Sequence, residues 1–287
     1  MRDRLLPPSR QRPNWRDRLI TYFRRRNWRG FVRLYDWLKP PHMVRRSLRV
    51  TSRYGSQFWL TPWDSVDHHV IMEGFYESEV LEALRPQLGP GKVLWVIGAN
   101  FGLHAVTAKW LHPETQVVAF EPSPAMATRL IENCELNAVN VDLHTYALSD
   151  RAGGFPFFAN NSGNPGMSTL HPQQGNLYDN HFTVAAMTAA AVINDRLAPP
   201  PHAVLLDAEG AEAMVLQGFE AHLASPDLQR LVVEAPNEFL TTQQPAQLYL
   251  LLARNGFTLT KLTRHENTGH TLSNFLATKE PGPMACT

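Results

Sequence analysis

Cysteine is scarce in this 287-residue chain: Cys134 and Cys286 lie far apart and fit no metal-binding or redox spacing. A disulfide-built scaffold is excluded, and a reducing, cytoplasmic compartment is the expectation. Long apolar runs are missing as well. The most extended nearly apolar stretch, Val184 to Ile193, has ten residues and contains Thr188, whereas a bilayer-spanning helix needs about 20. No period of about 20–50 residues recurs, which argues against a solenoid or propeller. The first arginines are not followed by an apolar stretch of about 7–15 residues, so the start does not read as a secretory signal. Neither a G-K-[ST] phosphate loop nor a G-x-G-x-x-G dinucleotide fingerprint occurs.

What is present is an ordinary globular composition, 44% hydrophobic and 18% charged, which excludes wholesale disorder. The net charge of +1 hides a lopsided chain. Residues 1–50 hold 14 Arg and one Lys against three Asp, which leaves 12 basic and 23 acidic residues for the other 237. A basic arm precedes an acidic body. Within the arm, Met1 to Pro13 is rich in Arg and Pro. From Trp15 to Leu38, apolar and aromatic residues (Leu19, Tyr22, Phe23, Trp28, Phe31, Val32, Tyr35) recur at helical spacing among arginines. Trp and Tyr favour membrane interfaces and Arg attracts anionic headgroups, so residues 15–38 are expected to reach an anionic membrane surface. Packing against the acidic body, or against an acidic protein, are the other readings.

The pattern divides the chain into a basic extension (1–41), a lead-in (42–90), a core domain (91–279) and a flexible tail (280–287). In the lead-in, residues 49–62 read as a hairpin and 65–88 as one helix with Glu77, Glu79 and Glu82 on its polar side. In the core domain, Val93 to Ile97 is a short continuous apolar run, as in a strand buried on both faces. Helix 104–111, strand 117–120, helix 124–137 and strand 141–148 follow. Residues 151–180, rich in Gly, Asn, Pro and Ser, read as one strand plus a long loop, a potential lid. Strand 182–187 and helix 189–196 come next. Strand 203–206, helix 211–223, strand 231–233, helix 245–255 and a hairpin of 257–262 with 275–278 complete the chain. Strands alternating with helices imply an α/β fold with a mostly parallel sheet.

Ligands of such sheets bind at the carboxyl ends of the strands. There, Gly98-Ala99-Asn100-Phe101-Gly102 forms a tight small-residue turn, and Glu121 ends the next strand, placed to accept both hydroxyls of a ribose. The missing third glycine points away from a pyrophosphate and towards a nucleoside with a small charged group, such as S-adenosylmethionine.

The motif Val96-Ile97-Gly98-Ala99-Asn100-Phe101-Gly102 resembles the first motif of the FkbM-type S-adenosylmethionine-dependent methyltransferases. Ala119-Phe120-Glu121-Pro122, Ala147-Leu148-Ser149-Asp150 and Leu206-Asp207-Ala208-Glu209-Gly210-Ala211-Glu212 resemble the later motifs in order and spacing, and Gly74-Phe75-Tyr76-Glu77 the lead-in. The resemblance spans about residues 60–278. It implies a class I, Rossmann-like methyltransferase fold with seven strands and an antiparallel final hairpin. It also implies O-methylation of a sugar, glycolipid or natural-product hydroxyl.

On that resemblance, Gly98, Ala99, Asn100, Gly102 and Glu121 hold the cofactor, and Ser149 and Asp150 flank its adenine. Asp207, then Glu209, then His104 are the candidates for removing the acceptor's proton; Glu234 and the isolated His171 and His181 rank below them. Asp207 and its neighbouring acids are where a divalent cation would assist, but no metal-ligand spacing is legible and none is assigned. One position departs from the family: Val96 stands where an Asp is usual. Losing that charged contact costs about 1.5–3 kcal/mol, about one to two decades in affinity. A degenerate fold serving as a binding or scaffold protein is therefore the alternative. Nucleic acid is an unlikely partner, since the body is acidic and has no Asn-Pro-Pro-Tyr-like base-flipping motif.

Overall fold

The computed structural model describes Leu19, Tyr22 and residues 47–62, 64–159, 168–170, 180–236, 246–262 and 272–279. The rest of the basic extension, most of the expected lid with His171, and the tail from 280 lie outside the described residues. Leu19 is half-buried against the core and Tyr22 is exposed.

A hairpin of β1 (Leu48–Thr51) and β2 (Gln57–Leu60) leads into helices α1 (Ser65–Glu73) and α2 (Ser78–Leu84). The core domain opens with β3 (Val93–Ile97), α3 (Leu103–Leu111), β4 (Gln116–Phe120), α4 (Pro124–Asn137) and β5 (Asp142–His144). Three strands of a smaller sheet follow: β6 (Ala147–Leu148), β7 (Gly153–Ala159) and β8 (Asn180–Met187). Next come α5 (Ala189–Asn194), β9 (Ala203–Leu206), α6 (Glu212–Gln217), β10 (Arg230–Pro236) and α7 (Ala246–Arg254). The closing pair is β11 (Phe257–Lys261) and β12 (Leu272–Lys279).

The main sheet has seven strands in the order β11-β12-β10-β9-β3-β4-β5. Neighbours pair in parallel except β12, which runs antiparallel to β10 and β11. This is the class I methyltransferase arrangement. The chain winds outward from β3 through β4 to β5, then returns to lay β9 on the other side of β3. The crevice between β3 and β9 is therefore the topological switch point where α/β sheets bind ligands.

Strand periodicity supplies the two cores. In β3, Leu94 and Val96 face the side covered by the hairpin and α1 to α4, whereas Val93, Trp95 and Ile97 face α5 to α7. All five are buried, and each large aliphatic side chain so removed from water contributes about 1.5–3 kcal/mol. Helix α4 bolts the lead-in to the sheet. Asn133 accepts from the Trp59 amide (2.9 Å) and donates to the Phe101 carbonyl (2.9 Å), and Arg129 pairs with the buried Asp67 (2.5 Å) while its guanidinium lies 4.7 Å from the Phe101 ring centroid.

Three local expectations are corrected. Helix 65–88 is broken into α1 and α2, because Gly74 caps α1 in the left-handed region (φ 90°) and Glu77 is left-handed too (φ 52°). Strand 141–148 is divided: β5 belongs to the main sheet, but β6 leaves it and pairs with β8. The one strand expected within 151–180 is β7, which pairs along its whole length with β8. Helix 211–223 stops at Gln217, and a short 3-10 helix, Glu220–Ala224, takes its place. A side chain at Gly218 would meet the Ser149 carbonyl oxygen at 2.1 Å, which shows how closely the small sheet approaches there. Among the described residues, no helix is long and apolar enough to cross a membrane.

Candidate active site

At the carboxyl ends of β3, β4, β9 and β10 lies one cavity, walled by Gly98, Asn100, His104, Glu121, Asp207 and Glu234 among others. Its first wall is the turn after β3. Gly98 has φ 77°, and a Cβ there would stand 1.7 Å from the Asp207 carbonyl oxygen, so only glycine lets β3 and β9 approach this closely. Asn100 is left-handed (φ 51°), a conformation its side chain supports by accepting from the Phe101 amide (2.8 Å). Glu121 binds the turn to β4: Oε2 accepts from the Asn100 N–H at 2.7 Å and Oε1 from the Ser123 N–H at 2.8 Å. Burial pushes its carboxyl up to about 7, against the opposing pull of these two amides. Each oxygen keeps a second lone pair for a ligand hydroxyl.

The second wall is acidic. Asp207 follows β9, Glu209 sits in the turn after it, and Glu234 lies on β10 one residue beyond the pairing of Val233 with Leu206; Glu212, which opens α6, is buried next to them but does not line the cavity. One carboxylate oxygen from each of Asp207, Glu212 and Glu234 lies within 4.8 Å of the other two. Glu209 adopts φ 52°, and its carbonyl accepts from the Thr169 hydroxyl at 2.7 Å, which ties the turn to a residue of the expected lid. Burial, then the neighbouring carboxylates, hold Asp207 well above the ordinary range, Glu234 at about 9 and Glu209 at about 8. The Tyr76 phenol is raised by burial first and then by Glu77, Asp207 and Glu234.

The structure thus brings Gly98, Ala99, Asn100, Glu121, His104, Asp207, Glu209 and Glu234 to one cavity. Gly102 lies just behind it, where a Cβ would touch Leu130 at 2.9 Å. His104 is held neutral, its pKa lowered to about 4 by burial, and its Nδ1 is buried without a hydrogen-bond partner. Ser149 and Asp150 fall outside the wall, and Ala147 and Leu148 line it instead. The reason is the departure of β6 from the main sheet: the Ser149 amide donates to Met187 of the small sheet, and Asp150 pairs with Arg151. His181 is exposed and stacks on Phe158 away from the cavity. Among the lining residues left unassigned in the sequence are Tyr76 and Glu77. Glu77 is a half-buried part of the wall rather than a solvated helix residue. The lead-in motif containing them was the signal, but the left-handed turn that aims Glu77 inward has no sequence mark.

The Methyltransferase FkbM domain family matches residues 97–259. Hexuronic acid methyltransferase AglP of Haloferax volcanii is 26% identical over 240 residues, covering 82% of this chain and 93% of that protein. The 31-O-demethyl-FK506 methyltransferase FkbM of Streptomyces tacrolimicus is 37% identical over 67 residues, 23% of this chain and 26% of that one. Among solved structures, a methyltransferase FkbM from Methylobacillus flagellatus aligns at 12% identity with a TM-score of 0.45, covering 67% of this chain and 44% of that one. The family match and the two sequence relatives do not favour the degenerate binding protein. With the family matched over more than half its length, and with a class I sheet carrying the motif turns at its switch point, the chain belongs to the FkbM family of S-adenosylmethionine-dependent methyltransferases.

Proposed function

We propose that this enzyme methylates a hydroxyl group of a sugar, glycolipid or natural-product acceptor. The observation that carries the reading is the opposition of two walls across one cavity, a small-residue turn with Glu121 on one side and carboxylates on the other. The hexuronic acid named for the Haloferax relative, similar over most of both chains, supports a sugar as acceptor.

The residues fit the cofactor. Glu121 is a buried carboxylate with acceptor capacity on the ribose side, and a sulfonium suits the acidic wall electrostatically. Bound there, S-adenosylmethionine supplies an activated methyl group whose carbon–sulfur bond breaks as the new carbon–oxygen bond forms. The chain's own part is alignment, exclusion of water and proton removal. The turn from Gly98 to Gly102 holds the methionine and ribose portions. Ala147 and Leu148 supply apolar surface for the base. Asp207 accepts the acceptor's proton, with Glu209 next in line, and His104 contributes a neutral ring to the wall. The hydroxyl is converted to an ether, and the proton leaves through the carboxylates to solvent.

The test is product analysis with full-length protein, cofactor and hexuronic-acid-containing glycans, read as addition of a methyl group by mass. Asp207→Asn should lower kcat by about 100-fold or more. Full turnover by that variant, or methylation at nitrogen or carbon only, would remove the assignment. For the basic extension we propose contact with anionic membrane, where a lipid-linked acceptor would be met. Sedimentation with anionic vesicles at low salt tests it, and equal binding after deletion of residues 1–41 would refute it.

A further inference from the structure

We propose that Asp207, Glu212 and Glu234 form a site for one hard divalent cation of the magnesium class, at the carboxyl ends of β9 and β10. The assignment deepens the hydroxyl-methylation reading, on which the cation's role, though not its binding, depends.

Three carboxylates from separate elements converge there, with one oxygen of each within 4.8 Å of the other two. Oxygens sharing a single magnesium or calcium ion stand about 3–5 Å apart, so the spacing is that of a coordination shell. The donors are all carboxylate oxygen, the set that suits magnesium, manganese and calcium rather than softer metals.

A separate observation points to a missing partner. The Oδ1 atom of Asp207 is shielded from solvent and has no hydrogen-bond partner among the described residues, a state that buried carboxylate oxygens rarely show. The local backbone explains why no amide supplies the bond. Two N–H groups of the turn after β9, those of Ala208 and Gly210, donate to a single oxygen of Glu212, at 2.9 and 3.1 Å, and the Ala211 N–H donates to the Ala208 carbonyl. The first two fix Glu212 in place and are spent on it. Asp207 is left with acids around it: Glu234, Glu209, Glu77 and Glu212 all act on it. A cation satisfies the orphaned oxygen and relieves the repulsion together.

In the reaction, such an ion would bind the acceptor's hydroxyl oxygen as a Lewis acid and ease loss of its proton. With the cation bound, Asp207 is a ligand, and the proton-accepting role given to it above passes to the next in line, Glu209, which lies in the same wall but outside the three. The oxygen then attacks the methyl carbon, and the carbon–sulfur electron pair stays on sulfur.

The experiment is a Mn²⁺ titration of full-length, chelator-stripped protein, followed by the electron paramagnetic resonance signal of the free ion, with neither cofactor nor acceptor present. One saturable Mn²⁺ per chain, displaced by Mg²⁺, is the expected result. Glu234→Gln and Asp207→Asn should each weaken it by about tenfold or more. Two variants are used so that a folding failure in one, detected by circular dichroism, leaves the other decisive. The absence of saturable Mn²⁺ binding, or unchanged binding in a folded variant, overturns the site. The first outcome is also the one expected if the cofactor's own ammonium group occupies this wall. Because the titration omits acceptor, failure to find O-methylation leaves the site standing, and failure of the site leaves the product analysis untouched.

Discussion

The two walls of the cavity handle buried carboxylates in opposite ways. On the β3–β4 side, Glu121 is the single acid, and two backbone amides at 2.7 and 2.8 Å satisfy it whether or not a ligand is present. On the β9–β10 side, Asp207, Glu209, Glu212 and Glu234 crowd together, the Ala208 and Gly210 amides both serve Glu212, and Asp207 keeps an oxygen with no partner among the described residues. The first wall is complete within the protein, and its geometry is preformed. The second is complete only with a positive charge or with protons taken up by the acids themselves. On the proposed reading, cofactor recognition rests on rigid backbone and the chemistry on carboxylates whose repulsion binding relieves.

The largest effect should come from Gly98→Ala. Its Cβ would overlap the Asp207 carbonyl oxygen from φ 77°, which joins both walls, so a loss of about 3 kcal/mol or more is expected in denaturant unfolding. Near-normal stability would mean that the walls are not held in contact through this strand pair.

Next in size is an acid-dependent loss of stability from His104. Burial lowers its pKa from 6.5 to about 4. Above pH 6.5 the folded and unfolded chains both hold it neutral and it makes no difference. Below that value only the unfolded chain takes the proton, so stability falls as pH drops towards 4, by about 1.4 kcal/mol per unit and about 3 in all. Urea unfolding between these pH values, with His104→Leu as reference, measures it. If the two proteins share one slope, His104 is charged in the folded state and the acidic wall already has a resident cation.

Glu121→Ala should lower affinity for S-adenosylmethionine by about tenfold while the fold persists. It should also destabilise the chain by about 1–3 kcal/mol, because the Asn100 and Ser123 amides lose their acceptor. Calorimetric titration reads the first effect. Unchanged affinity would strip the first wall of its ribose role.

The smallest effect is expected from Val96→Asp, which restores the family's acid beside the preformed turn. Cofactor binding should tighten by up to about tenfold. A folded variant that binds no better would show that Tyr76, Glu77 or Asp207 already serves that end of the cofactor.

Much of the fold was legible without coordinates because its signals are local. The apolar run 93–97, buried in full, and the helix 124–137, with Pro124 in its first turn and the Ser123 hydroxyl accepting from the Met126 amide, need only neighbouring residues to be recognised. The turn from Gly98 to Gly102 and the acid at 121 were legible for the same reason. Glu77 was not: it reads as a helix surface residue until Gly74 and its own left-handed backbone turn it into the cavity. Ser149 and Asp150 were placed from motif order, but β6 pairs with β8 and carries them out of the wall.

By itself, then, the sequence determined the alternation of strands and helices, the small-residue turn and the family, since each depends on spacings of a few residues and on apolar periodicity. The meeting of Glu77, Asp207, Glu212 and Glu234 belongs to the tertiary structure alone. Glu77, the segment from Asp207 to Glu212, and Glu234 are separated from one another by long stretches of chain, and only the strand order that returns β9 and β10 beside β3 brings them together. No local preference favours like charges in contact; the burial of the sheet's apolar faces, summed over both cores, holds them there.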